Sequence, residues 1–254
     1  SCYKQHGYSA AEVRLYSQDY LNIKLGLALM LLSLSAHSRA ELLQLNDIDW
    51  PPYFFPDRSQ YKPGLGKTIL TSCIKQLGYD YQYNRLPIKR THYYMHTGTL
   101  DITVYSYQAA REDAVVFGSE PLFVNAYGFA VKSDRQIAIK SVEDISALTF
   151  GHLAGLTHTD ELNPVLKKMK AQSKVIESYE LNATLKQLLT TPPRIDITAN
   201  SKSTLLWRIK ELGLSDQISV LDFELAQKPY YVAVSKKSKT INDAAKFVSK
   251  FDQC

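Results

Sequence analysis

Short extended segments alternate with helical patterns over the first half of the chain. Apolar residues recur at helical spacing in residues 64–77, and Gly78 is typical of a left-handed helix end. Pro87 opens a second helical segment at residues 88–97, which Gly98 ends. Extended segments precede, separate and follow these helices at residues 41–46, 79–83 and 100–105. This order is typical of parallel strands joined by crossover helices, so the sequence predicts an α/β fold.

The same alternation resumes after an extended segment at residues 128–131. A helix is predicted to start at Val142, and further helices are expected at residues 160–170, 181–189 and 202–212. Strands are expected between them at residues 148–153, 174–176 and 195–199. A strand at residues 230–235 and an amphipathic helix at residues 241–251 complete the pattern.

Two extended crossings of the chain, near residues 127–131 and 229–234, indicate two lobes joined by a pair of strands. Lobe 1 is expected to comprise residues 41–127 and 229–254, and lobe 2 to comprise residues 128–228. In α/β folds, ligands sit in the crevice at the carboxyl ends of the strands. The space between the lobes is therefore the expected binding site.

Composition and charge narrow the functional classes. Hydrophobic residues make up 45% of the chain and charged residues 22%, which excludes disordered and low-complexity proteins. The 30 basic and 25 acidic residues give a net charge of +5. No run of basic residues and no basic motif interleaved with aromatic residues is present, so nucleic-acid binding is not expected.

A short apolar stretch near the beginning of the chain predicts export. Residues 25–36 are apolar or small, Lys24 precedes them, and small residues at Ser38 and Ala40 suit a cleavage site. We therefore expect a signal peptide at residues 21–40, preceded by an upstream extension at residues 1–20. Glu41 follows the cut where a lipid-anchored protein would have Cys, so no lipid anchor is expected. A buried helix in an ordinary domain is the alternative interpretation.

Two cysteines, Cys73 and Cys254, remain after the expected cleavage. In an exported protein two cysteines are able to close one disulfide, which is the interpretation we favour. The alternative is two unrelated thiols, one of them buried in a helix.

Several motifs suggest chemistry but lack essential residues. The segment 64–68 (GLGKT) resembles the end of a phosphate-binding loop, yet Tyr61 stands where that loop requires Gly. His92 and His96 have metal-ligand spacing on one helix, but no third ligand is evident, so a solvated helix face is expected. No arrangement typical of a catalytic nucleophile is present. We expect no catalytic residue, no metal and no cofactor.

Polar and aromatic residues cluster in the loops that follow predicted strands. Such groups at equivalent strand ends favour a small-molecule site, in which arginine offers a planar fork for a carboxylate. The candidates from these loops and from the start of the second crossover helix are Asp47, Asp49, Trp50, Tyr53, Arg90, Ser106, Tyr107, Arg111, Gly155 and Thr157.

Over residues 41–254 the sequence resembles family 3 of the bacterial extracellular solute-binding proteins, which serve polar amino acid ABC transporters. The resemblance lies in the composition and order of short segments at residues 49–53, 64–66, 86–90, 98–101, 111–112, 119–122, 194–196 and 231–236. It implies a two-lobe α/β Venus-flytrap fold with two hinge strands, that of type II periplasmic binding proteins. A monomer in the periplasm would close on a small ligand and present it to a membrane ABC permease.

The resemblance also implies roles for individual residues. Arg111 matches the arginine that clamps the ligand carboxylate, and Ser106 matches a neighbouring hydroxyl. Trp50 matches an aromatic residue that packs on the ligand, and Asp47 an adjacent polar contact. Thr157 falls where a helix N-terminus donates backbone N–H groups to an anion.

Two departures from the family pattern affect the expected ligand. The acidic residue that binds the α-amino group falls at Ser201 here, preceded by Asn200, so the usual salt bridge is missing. Arg90 stands where many members have a second aromatic residue, which favours a more anionic ligand. A small, polar, carboxylate-bearing solute is therefore expected.

Two other functions remain open from the sequence. One is a ligand sensor or scaffold without a transport role, which the missing amino-group contact suggests. The other is a dehydratase-type enzyme on the same fold, for which the candidate acids are Asp47, Asp49 and Glu120.

Overall fold

The computed structural model describes residues 42–254; the expected signal peptide and upstream extension lie outside the described residues. Within this part of the chain eight strands form one sheet. In chain order they are β1 (Leu43–Asn46), β2 (Tyr81–Asn84), β3 (Ile102–Ser106), β4 (Val115–Lys132), β5 (Phe150–Leu153), β6 (Val175–Ser178), β7 (Ile197–Ser201) and β8 (Ile218–Ser235).

Helices connect most consecutive strands. The α-helices of the described residues are α1 (Leu65–Gln76), α2 (Ile88–Thr97), α3 (Leu162–Ala171), α4 (Leu181–Gln187), α5 (Lys202–Glu211) and α6 (Ala244–Asp252). Short 3₁₀ turns occur at Ala109–Arg111 and Val142–Ala147. The second of these is the helix that the sequence predicts to start at Val142, and Ser141 and Asp144 form a capping box at its beginning.

The sheet order β2-β1-β3-β8-β4-β7-β5-β6 places a parallel group of strands at each end. Strands β2 and β3 run parallel to β1, and strands β6 and β7 run parallel to β5. Between the two groups, β4 and β8 pair antiparallel to each other. The predicted α/β fold with crossover helices is therefore present at both ends of the sheet.

The central strands β4 and β8 are each 18 residues long, much longer than the sequence predicts. The sequence predicts strands only at residues 128–131 and 230–235 in these regions. The pairing of β4 with β8 shifts register on both sides of Pro121. Because proline cannot donate a ladder hydrogen bond, it interrupts the local strand pattern that prediction depends on.

The apolar core forms separate groups along the chain. The groups around β1, β3, α1 and α6 draw on residues 43–123 and 230–251, all within the range expected for lobe 1. The groups around β5, β7, α3 and α5 draw on residues 127–225, which apart from Tyr127 fall within the range expected for lobe 2. Strands β4 and β8 contribute residues to both sets of core groups.

Cys73 on α1 and Cys254 after α6 form a disulfide, with their Cα atoms 5.7 Å apart. The bridge therefore connects two helices of lobe 1. Across residues 42–254, none of the helices combines the length and apolar character needed to cross a membrane.

Candidate functional site

A cavity of about 470 Å³ lies where the parallel strands of both lobes end. Residues at the carboxyl ends of four strands line it: Asn46 on β1, Ser106 on β3, Leu153 on β5 and Asn200 on β7. The crevice expected from the strand order is therefore a real cavity.

Several direct contacts join the two lobes around this cavity. Arg111 donates from Nη2 to Thr157 Oγ1 at 2.9 Å, and Thr204 Oγ1 donates to the Pro51 carbonyl at 2.7 Å. An ion pair of 3.2 Å joins Lys89 to Glu177. These contacts connect residues on opposite sides of the cavity.

Arg111 is the principal cation of the cavity. It lies at the end of the 3₁₀ turn after β3, donates to the Ser106 carbonyl at 3.3 Å and has its guanidinium carbon 4.3 Å from the centre of the Tyr105 ring. No carboxylate of residues 42–254 forms an ion pair with it within 4.0 Å. Burial lowers the pKa of Arg111, but an arginine remains charged at neutral pH. The free donors of this fork suit an incoming carboxylate.

The two aspartates near the cavity are already paired. Asp47 accepts from the buried Lys67 Nζ at 3.1 Å and from the backbone N–H of Asp57 at 3.1 Å. Asp49 forms an ion pair with Arg208, and Arg85 lies 3.7 Å away. Neither carboxylate is available as the free acid that the dehydratase hypothesis requires.

Glu120, the third candidate acid, is exposed and does not line the cavity. Across residues 42–254 no group of three His, Cys, Asp or Glu side chains is arranged to hold a metal ion. None of the three candidate acids is therefore both unpaired and part of the cavity lining.

Aromatic residues form one side of the site. Trp50 lines the cavity and meets the Tyr230 ring edge-on, with the ring centroids 4.4 Å apart. Tyr53 does not line the cavity, because its ring stacks on Phe123 at a centroid distance of 4.2 Å. Tyr107 is exposed and also lies outside this cavity.

Besides Tyr53, three further predicted ligand contacts are placed differently by the structure. Arg90 is exposed and outside the cavity, because the face of α2 that lines it carries Ile88, Thr91 and His92. Ser201 is fully buried and also outside, with its hydroxyl bonded to Ser203 at 2.8 Å. Thr157 lines the cavity through a side chain bonded to Arg111. It does not stand at a helix N-terminus, since α3 begins only at Leu162.

His92 lines the cavity, although the sequence predicts that it lies on a solvated helix face. Its Nε2 lies 3.1 Å from the Gly155 carbonyl of lobe 2, and its Nδ1 lies 2.7 Å from the Tyr105 hydroxyl of lobe 1. Because a carbonyl only accepts, Nε2 carries the proton and Nδ1 accepts from tyrosine. Helical spacing with Ile88 and Met95 was the available signal, since these residues share one face of α2.

Lower pH is expected to destabilise the protein through His92. Burial, with a further contribution from the Arg111 charge, lowers its pKa in the folded state. Its stabilising contribution is therefore complete above the ordinary histidine pKa of about 6.5 and is lost as pH falls towards the folded pKa. We expect the melting temperature to fall between pH 7.5 and 5.5, and to fall less in His92→Gln.

The exposed His96 on the same helix provides the control for this experiment. His96→Gln should keep the wild-type pH dependence of melting. Part of the fall should persist in His92→Gln, because burial also lowers the pKa of His152 and His158. A fall of the same size in His92→Gln and in the wild-type protein would exclude His92 as a contributor.

Solved structures of solute-binding proteins resemble this chain. An ancestral arginine-binding protein bound to arginine matches with a TM-score of 0.69 at 20% identity, over 85% of this chain and 91% of that one. Holo ArgBP from T. maritima matches with a TM-score of 0.68 at 18% identity, over 85% and 89%. A histidine kinase sensor domain with similarity to periplasmic binding proteins matches with a TM-score of 0.68 at 16% identity, over 85% and 90%.

The sequence matches no protein-family model, and no curated protein matches it. The structural likeness shows that residues 42–254 have the two-lobe α/β fold of periplasmic binding proteins, as the sequence predicts.

Proposed function

We propose that this protein is a periplasmic solute-binding protein that captures a small carboxylate-bearing solute and delivers it to a membrane ABC permease. The proposal rests on one observation: Arg111 lines the cavity and has no carboxylate partner among residues 42–254. A ligand carboxylate would supply the missing counter-charge through charge-assisted hydrogen bonds. The similar structures support a binding role, since those named as arginine-binding proteins share this fold.

Closure of the two lobes is the proposed mechanism. Lobe 1, residues 41–127 and 229–254, and lobe 2, residues 128–228, would move about the crossing strands β4 and β8. Arg111 contacts Thr157 across the cleft, so a carboxylate at Arg111 lies between both lobes. A ligand that contacts both lobes binds the closed state better than the open one, and this difference drives closure. The working form would be a monomer.

A ligand screen tests this function directly. Ligand at 100 times its dissociation constant stabilises a protein by about 2.7 kcal/mol. For a chain of this size we expect a rise in melting temperature of about 5–10 °C. The purified chain, freed of copurified ligand, is screened against carboxylates, amino acids, polyamines and sugars. A rise with carboxylates supports the proposal, and a rise confined to polyamines or sugars contradicts it.

A sensor is the second candidate function, favoured by the likeness to a histidine kinase sensor domain. Both functions need the same ligand contacts, so binding alone does not separate them. Uptake of a labelled ligand does separate them. Cells lacking the protein should lose high-affinity uptake if it serves a permease, and should keep it if the protein is a sensor.

A further inference from the structure

We propose that the ligand is a monocarboxylic acid with a large apolar or aromatic body, one neutral hydrogen-bond donor and no ammonium group. Such a molecule is the deaminated counterpart of a large aromatic amino acid. This inference rests on the proposed function and identifies the substrate class of the same cavity.

Among the described residues, the cavity has no buried carboxylate left to hold an ammonium group. Asp47 is engaged by Lys67, and Asp49 is engaged by Arg208. Glu180 lines the rim but is exposed, where water screens its charge. An ammonium group enclosed in this cavity would therefore lose its hydration without gaining an ionic partner, which is costly.

The position where an amino-group contact is expected is also neutral. Asn200 lines the cavity, and its Oδ1 accepts the backbone N–H of Ser201 at 2.8 Å. The Ser201 side chain is bonded to Ser203 and lies outside the cavity. No anionic group faces the ligand space from this part of β7.

In contrast, two cations at or beside the cavity, Arg111 and Lys228, have no ion-paired carboxylate among residues 42–254. The buried Lys228 amine donates to the carbonyls of Thr157 and His158 and forms no ion pair with a carboxylate of residues 42–254. Burial, with a further contribution from the charge of Arg111, lowers the pKa of Lys228 to about 8, and the charge of Asp160 opposes this shift only in part. Two neighbouring cations therefore favour an anionic ligand. The other cavity arginines do not add to this excess, since Arg85 and Arg208 both lie against Asp49.

The size and lining of the cavity favour a bulky apolar body. A volume of about 470 Å³ lies in the range of about 300–1,000 Å³ that is typical of sites for drug-sized ligands. Apolar side chains supply much of its wall, among them Ile48, Trp50, Ile88, Val104, Leu153 and Leu156. An aromatic body would bury its surface against these side chains.

Two amide oxygens of cavity-lining residues are buried and have no hydrogen-bond partner in the described chain. They are Asn46 Oδ1 on lobe 1 and Asn182 Oδ1 on lobe 2. Buried polar atoms are rarely left without a partner, so one neutral donor on the ligand would satisfy one of these two oxygens. A phenol O–H or an indole N–H is a neutral donor that an aromatic body carries.

Matched pairs of compounds test the inference by calorimetric titration of the purified chain. The acid 3-(4-hydroxyphenyl)propionate differs from tyrosine only in the α-ammonium group, and indole-3-propionate differs from tryptophan in the same way. We expect each acid to bind at least about 10–100 times more tightly than its amino acid, because the ammonium group has no partner. Propionate, which lacks the aromatic body, should bind more weakly than either aromatic acid.

The outcomes separate the inference from the proposed function. Equal or tighter binding of tyrosine and tryptophan, or tighter binding of propionate, overturns the inference and leaves the proposed function intact. Failure of every carboxylate, including glutamate and arginine, overturns both.

A variant provides an independent test of the charge argument. Asn200→Asp keeps an oxygen for the Ser201 N–H and adds a carboxylate to the cavity wall. Its preference for each acid over the matched amino acid should fall by at least about tenfold. An unchanged preference, with both ligands still bound, contradicts the charge argument.

Discussion

Replacement of Arg111 by methionine is expected to weaken binding of the ligand carboxylate by about 30-fold to 1,000-fold or more. Truncating one partner of a buried, hydrogen-bonded charge pair costs about 2–5 kcal/mol. Methionine keeps an unbranched apolar side chain but removes all the donors of the guanidinium. Arg111→Lys keeps the charge without the planar fork, so it should lie between the wild-type protein and Arg111→Met.

The same substitution should leave the unliganded protein nearly as stable as the wild-type protein. Arg111 brings a cation close to Lys228 without a carboxylate partner in the described chain, so its removal relieves unfavourable electrostatics. This gain opposes the loss of the hydrogen bonds to Ser106 and Thr157. We therefore expect Arg111→Met to lose the ligand-induced rise in melting temperature while the melting temperature without ligand changes by only a few degrees.

Calorimetric titration with the best carboxylate of the screen measures the affinity change. Arg58→Met is the control, because it removes the same charge from an exposed side chain that does not line the cavity. It should bind as the wild-type protein does. Unchanged affinity in Arg111→Met would place the carboxylate elsewhere, and equal losses in both variants would indicate a general effect of net charge.

Local signals explain why the parallel parts of the fold were predictable. Helix α2 has the predicted bounds of residues 88–97. Pro87 has an extended backbone at its start, and Gly98 takes a left-handed conformation with φ 76° at its end. Gly78 likewise has a positive φ of 85° after α1. Each of these signals acts within a few residues, so one sequence is enough to recognise it.

The long central strands were not predictable in the same way. Strands β4 and β8 pair residues about 100 positions apart, such as Asn125 with Lys228. The first half of β4 carries Gly118 and Pro121, which weaken a strand pattern, whereas the first half of β8 does alternate apolar and polar residues at positions 221–225. The pairing of the two strands with each other and with both parallel groups of the sheet produces these elements. Propensity in strands depends strongly on such neighbours.

The sequence placed many, but not all, strand-end and loop residues correctly at the site, since Tyr53, Tyr107 and Ser201 lie outside the cavity. Loop and strand-end residues such as Asp47, Ser106 and Asn200 line the cavity, since the carboxyl ends of parallel strands meet there. On helix α2, adjacent residues face in different directions: Arg90 is exposed, whereas Thr91 and His92 line the cavity. Partners of charged residues, such as Lys67 for Asp47, depend on tertiary contacts and carried no local signal.

Cys254→Ser is expected to lower the free energy of unfolding by about 2–5 kcal/mol, because the disulfide closes a long loop. The bridge connects cysteines 181 residues apart, and in the chain-entropy model long loops give the largest stabilisation of the folded state. For a chain of this size the loss corresponds to a fall in melting temperature of about 4–20 °C.

Cys254 is a better position than Cys73 for this test. Cys73 is buried in the lobe 1 core, so its substitution would also disturb packing, whereas Cys254 is exposed beyond α6. The bridge holds the end of α6, whose Phe247, Val248 and Phe251 pack in that core. Loss of the bridge should therefore leave the helix packed in the native state and act mainly by enlarging the conformational freedom of the unfolded chain.

Chemical denaturation with and without reductant measures the effect. The reduced wild-type protein should match Cys254→Ser, and reductant should not change the stability of the variant. Because both cysteines lie in lobe 1, away from the cavity lining, ligand affinity should stay within about twofold of wild type. Equal stability of the oxidised wild-type protein and the variant would show that the bridge does not restrict the unfolded chain. A large loss of affinity would instead show that the end of α6 supports the binding site.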